Sequence, residues 1–106
     1  MRTSYYAPDG QCVGIGEITS LPGCSQIGVF HSAFVLPQFR NNGYGTKAHA
    51  ARLRAAKDAL YDAAICTVQA DNKFQIEILE ANGWVYVWDF VSKKTGHIVH
   101  VYMRSL

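Results

Sequence analysis

Apolar residues along this chain switch between two periods, and the switches mark its elements. From Gln11 to Leu21, Val13, Ile15, Ile18 and Leu21 fall among glycines, which predicts a strand. Leu21-Pro22-Gly23 predicts a turn, because proline fixes one φ and glycine frees the next. Gln26–Leu36, rich in Ile, Val and Phe, predicts the returning strand of a hairpin. Pro37 ends it, having no N–H to give a ladder. Thr46–Tyr61 is alanine-rich, lacks Gly and Pro, and sets Leu53, Ala56 and Leu60 on one helical face. Ala63–Gln69 is a short apolar run of the kind found in strands covered on both faces. Asn72–Asn82 predicts a second helix with Phe74, Ile78 and Ala81 as its stripe, Asn72 and Gln75 spaced as a capping box, and Asn82-Gly83 as a stop. Trp84–Val91 and His97–Met103 alternate on either side of a turn at Ser92–Gly96, a terminal antiparallel hairpin.

The order of these elements predicts an α/β fold. Strand, helix, strand in the middle implies a parallel pair joined by a right-handed crossover. Hairpins before and after it imply a mixed, mostly antiparallel sheet with two main helices. No repeat, linker or low-complexity tract interrupts the 106 residues, so a single domain over 1–106 is expected. Composition excludes several classes. At 49% hydrophobic the chain can bury one real core and is not of the disordered kind. A net charge of +2 is too small for a nucleic-acid surface. No stretch reaches the roughly 18 apolar residues of a membrane span, and Met1–Gly10 lacks a secretory apolar run. Cys12, Cys24 and Cys66 are odd in number and form no CxxC, so neither a disulfide framework nor a metal site is expected. Free thiols point to the cytoplasm, with Cys66 a small buried hydrophobe.

The chemistry concentrates between the second strand and the first helix, in Val35-Leu36-Pro37-Gln38-Phe39-Arg40-Asn41-Asn42-Gly43-Tyr44-Gly45-Thr46. A helix begins with unpaired N–H groups and partial positive charge. Glycines just ahead of it let the backbone curl toward a ligand, and Arg40 adds a fixed charge. Together they suit phosphate or pyrophosphate. The segment is neither a Walker A loop nor a three-glycine dinucleotide loop, since Ala48 stands where the third glycine would fall. The same glycines also suit a strand-to-helix turn that needs them for geometry alone.

Val35, Pro37, Phe39, Arg40, Gly43 and Gly45 match without a gap the pattern V-x-P-x-[YF]-R-x-x-G-x-G, and in this the chain resembles the GNAT superfamily of acyl-CoA-dependent N-acyltransferases. The order of elements after it, including Asn72 opening a helix that ends in Asn82-Gly83-Trp84, is similar as well; the resemblance spans about Gln26–Leu106. It implies acetyl-CoA as co-substrate, lying between two splayed parallel strands, Gln26–Leu36 and Ala63–Gln69. Backbone groups of Phe34, Val35 and Leu36 would pair with the pantetheine as an added strand. N–H groups of Arg40, Asn41, Asn42, Gly43, Tyr44, Gly45 and Thr46 would hold the pyrophosphate, Asn72 would lie near the pantetheine, and Lys47 or Arg52 would reach the 3′-phosphate.

The resemblance also implies an amine acceptor, a small molecule or a protein lysine, acylated by direct transfer. Two departures matter. Family members usually carry two helices ahead of the strand at Gln11, and only about ten residues stand there in this chain. Many also place a tyrosine seven residues after the asparagine, as the acid for the departing thiolate; here that residue is Leu79. The acid is then another residue, with Tyr86 and Tyr102 candidates only by availability, or water, or absent. For the base, His31, sharing a strand face with Ala33 and Val35, and Glu17 on the neighbouring strand are the candidates. The alternative is a CoA-binding or structural GNAT-like protein without turnover. The second helix and its hairpin also resemble, loosely, such chains encoded by phages. The edge that the short N-terminal stretch would leave exposed makes a homodimer the expected assembly.

Overall fold

The computed structural model describes all 106 residues. Strands β1 (Arg2–Tyr6), β2 (Cys12–Leu21), β3 (Cys24–Val35), β4 (Ala63–Gln69), β5 (Val85–Val91) and β6 (Ile98–Ser105) form one sheet in the order β1-β2-β3-β4-β6-β5. Helix α1 spans Tyr44–Asp58 and α2 spans Lys73–Ala81, with a 3₁₀ turn at Pro37–Phe39 ahead of α1. Every ladder is antiparallel except β3–β4, so the predicted mixed sheet with one parallel pair is the fold observed.

The sheet buries one face. Ile18, Phe30, Ala64, Cys66, Val68 and Tyr102 project from the strands against Leu53 and Ala56 of α1 and Leu79 of α2, with Trp84 closing the cluster. The opposite face leaves Ile15, Phe34, Trp88 and Phe90 exposed. The Pro22–Gly23 turn joins β2 to β3, with Gly23 at φ 82°, a value that glycine adopts without strain. Asn72 caps α2 by accepting from the Gln75 N–H at 3.2 Å. Its own N–H donates to the Gln69 carbonyl, so only half of the capping box forms.

Two expectations need correction, and one element was not foreseen. Helix α1 begins at Tyr44 and ends at Asp58 rather than running from Thr46 to Tyr61, and Leu60 is no part of its stripe. It sits past the helix at φ 66° and is 84% exposed. Residues Arg2–Tyr6, to which the sequence pattern assigns no element, form a strand, paired from Arg2↔Glu17 to Tyr6↔Cys12. His31 does not share a face with Val35. Ser32 takes φ 55°, and between the pairs Glu17↔His31 and Ile15↔Phe34 strand β3 carries one more residue than β2. This bulge reverses the alternation, putting His31 and Phe34 together on the face away from the helices and Val35 on the other.

Candidate functional site

Strands β3 and β4 are hydrogen-bonded over three pairs, Ile27↔Ala63, Gly28↔Ala64 and Val29↔Ile65, and no further. Both strands continue, to Val35 and Gln69, but apart. The side of β3 that faces β4 beyond Val29 therefore has no ladder partner there. Two cavities of about 360 and 320 Å³ fill the opening. The first is lined by Phe30, His31, Cys66, Thr67 and Leu79 among others, from both faces of the sheet. The second runs beside Phe34, Val35, Arg40, Gly45, Phe74 and Ile78, toward the start of α1.

At that start the backbone is open. Gly43 is the N-cap in the left-handed region, φ 77°, and offers no side chain to the first turn. None of the N–H groups from Asn41 to Thr46 donates to a turn or loop carbonyl, whereas Arg40 N–H reaches Pro37 O and Lys47 N–H reaches Gly43 O. A free run of amides at the positive end of a 15-residue helix is suited to an anion. Each glycine also has a local reason. Gly43 needs its positive φ, and a Cβ on Gly45 would stand 3.0 Å from Ile78 Cδ1, so Gly45 lets α1 approach α2.

The remaining predicted residues divide. Arg40 donates from Nε to the Val35 carbonyl at 2.9 Å and lies 5.0 Å from the Phe34 ring centroid, so it ties the loop to the strand while lining the cavity. Leu36 N–H already donates to Val13 O and is not available for an added strand. Asn72 lines both cavities although its carbonyl oxygen is engaged as the cap. Arg52 does not reach outward toward a 3′-phosphate. It is 6% exposed, on the buried face of α1 with Ala48 and Ala56, and lines both cavities from beneath. Lys47 stays exposed over the Tyr44 ring. His31 and Glu17 face each other across β2 and β3. His31 Nε2 lies 3.2 Å from Thr19 Oγ1 and Nδ1 3.0 Å from Ser32 Oγ, and Glu17 pairs with Arg2 at 3.4 Å. Tyr86 and Tyr102 meet edge to face and line neither cavity.

Sequence reading missed His49. It is 1% exposed and lines both cavities, and its Nε2 accepts from Trp84 Nε1 at 2.7 Å, which places the ring proton on Nδ1. Burial first, then Arg52 and Arg104, lowers its pKa from 6.5 to about 4. Between these values the unfolded chain binds a proton that the native state refuses, so stability falls as pH drops. A loss of about 3 kcal/mol is expected from pH 7 to pH 4. Urea midpoints measured across that range check it, and in His49→Gln the decline should shrink.

The comparisons agree with this geometry. The model of the acetyltransferase (GNAT) family matches residues 3–84, and the chain belongs to that family, whose members use an acyl-CoA co-substrate. Among solved structures, a GCN5-related N-acetyltransferase from Kribbella flavida is 19% identical with a TM-score of 0.84, the match covering 99% of this chain and 67% of that one. An acetyltransferase of the GNAT family from Streptococcus pneumoniae is 18% identical, TM-score 0.80, covering 94% and 63%. A mutant of the spermidine N-acetyltransferase SpeG from Vibrio cholerae is 13% identical, TM-score 0.82, and this chain spans 64% of its length. By sequence, no curated protein matches. No helix is long and apolar enough to cross a membrane.

Proposed function

We propose that the protein is a cytoplasmic N-acetyltransferase that moves an acetyl group from acetyl-CoA directly to an amine. The observation that carries this is the continuity of the opening. Free amides at the start of α1 lead along the second cavity, past Phe34 and Val35, into the first cavity between the diverging strands. The residues present fit acetyl-CoA. Amides of Asn41–Thr46 would take the pyrophosphate, with Arg40 as the nearby cation. The β4-facing backbone of β3 beyond Val29, unpaired by β4, would take the pantetheine as an added strand. Bound there, acetyl-CoA supplies an activated acyl carbon.

The chain's own residues then position and polarise. The unpaired edge of β3 can donate N–H bonds to the oxygen on which negative charge develops. His31 lies on the rim of the first cavity, on the sheet face that an acceptor could approach from outside. Its contacts with Thr19 and Ser32 hold the ring, and it would take the proton from the attacking amine. His31→Ala is expected to lower kcat at least about a hundredfold with little change in the KM for acetyl-CoA. Steady-state assays of thiol release with a panel of amines measure both. Acetyl-CoA binding without any thiol release would instead favour the second reading, a binding protein without turnover, which Leu79 in the acid's place supports. A homodimer would form at an edge of the sheet, which is β1 on the N-terminal side and β5, exposed at every residue, on the other.

A further inference from the structure

The two cavities share Ala33, His49, Arg52, Asn72 and Gln75, so these line the junction between them. Arg52 is chemically out of place there. At 6% exposure it has no carboxylate within ion-pair distance, the pair in the structure being Arg2–Glu17, and no acceptor takes a hydrogen bond from it. Its nitrogens are nonetheless not sealed in as His49 Nδ1 and His100 Nδ1 are, so the little surface it keeps is shared between these two cavities and a smaller one of about 190 Å³ beside β1 and β2. A buried cation without a partner is costly to the fold. The sheet makes room for it at Gly16, where a Cβ would stand 2.6 Å from Arg52 Nε and 2.9 Å from Cζ.

Nothing around Arg52 cancels its charge. On α1, His49 is neutral, with its pKa lowered to about 4. On β4, burial pushes the Cys66 thiol up to about 12 in spite of Arg52. Strand β2 presents Gly16, and α2 presents Asn72, Gln75 and the apolar Leu79. His31 lies at the rim from β3, and Arg104, on β6, adds a second cation near His49. The junction is thus positive, without an acid to protonate a leaving group.

We propose that Arg52 stabilises the departing sulfur as a thiolate, in the part that an acid at position 79 would otherwise play. This rests on the acyl-CoA reading above. As the acceptor nitrogen bonds to the carbonyl carbon, the carbon–sulfur bond breaks and its electron pair goes to sulfur. The amine's proton goes to His31. Arg52 holds the sulfur's charge through its N–H donors and keeps its own proton; water protonates the thiolate after release.

The test is binding, not turnover. CoA and desulfo-CoA, which lacks the sulfur, are titrated into the protein by calorimetry from pH 6 to pH 9. With Arg52 facing the sulfur, affinity for CoA should rise about ten- to a hundredfold over that range relative to desulfo-CoA, as the bound thiol ionises below its ordinary pKa near 8.5. Arg52→Met should abolish this rise while leaving desulfo-CoA affinity unchanged, and should melt no lower than wild type, since it removes an unpaired charge. Arg52→Lys should restore part of the rise. A parallel His31→Ala protein keeps that imidazole's protonation from carrying the profile. Parallel pH profiles for CoA and desulfo-CoA in the wild-type protein, which need no variant, would overturn the proposal while leaving the acyl-CoA reading standing. Failure of both ligands to bind would overturn the two together.

Discussion

Replacing Thr46 by glutamate is expected to leave the protein folded and to weaken acetyl-CoA binding at least a hundredfold, on the order of 3 kcal/mol. Thr46 is the third residue of α1, counted from the Gly43 cap, and its N–H is one of the unengaged group. An acidic side chain in a first turn is favourable to the helix by about 0.3–1 kcal/mol, so the melting temperature should hold or rise. The same carboxylate would occupy the amides and repel a diphosphate. Hydrogen bonds to a charged group contribute about 1.5–3 kcal/mol each, so losing two accounts for the expected drop. Calorimetric titration with acetyl-CoA, with Thr46→Gln as the uncharged control, measures it. Undiminished binding by the glutamate protein would show that the cofactor lies elsewhere.

Trp84→Ala is expected to destabilise the fold by about 3–5 kcal/mol, enough to threaten a domain whose total stability is typically 5–15 kcal/mol. Trp84 is 4% exposed and meets the Phe30 ring edge-on at 5.3 Å. Its indole N–H is also the partner of His49 Nε2, so truncation leaves a cavity and an orphaned acceptor together. Trp84→Phe keeps most of the packing and should lose about 1–3 kcal/mol, the part due to the hydrogen bond. Urea denaturation followed by far-ultraviolet circular dichroism separates the two. A Trp84→Phe protein as stable as wild type would mean that the indole N–H contributes nothing, and equal losses would mean that the packing does not.

Period and punctuation made most of the fold legible. The Ala63–Gln69 strand is found as predicted, and Pro22-Gly23 and Asn82-Gly83 end elements where their backbone preferences require. What escaped was decided by contacts between distant residues. Nothing in the pattern of Arg2–Tyr6 marks a strand, and Thr3 and Tyr5 find their places only opposite Gly16 and Gly14 in the ladder. The bulge at Ser32 leaves no trace in a pattern that assumes strict alternation. Leu60 continued a helical stripe arithmetically, but the helix had already ended at Asp58. The loop from Arg40 to Thr46 was visible because its signal is local. The cavity floor was not, although part of its signal was present: Ala48, Arg52 and Ala56 are spaced four apart, which sets an arginine in the middle of a buried face. Its significance depends on Gly16, 36 positions away and on another element.

The narrow parallel seam between β3 and β4 has a mechanical meaning. Three paired positions join a β1–β2–β3 leaf to a β4–β6–β5 leaf, and beyond them the leaves are held by what packs beneath. A molecule lying along the gap would complete a hydrogen-bonding pattern that the polypeptide itself leaves unfinished. Occupancy of the site and rigidity of the sheet would then be one variable, with the ligand serving as a removable seventh strand.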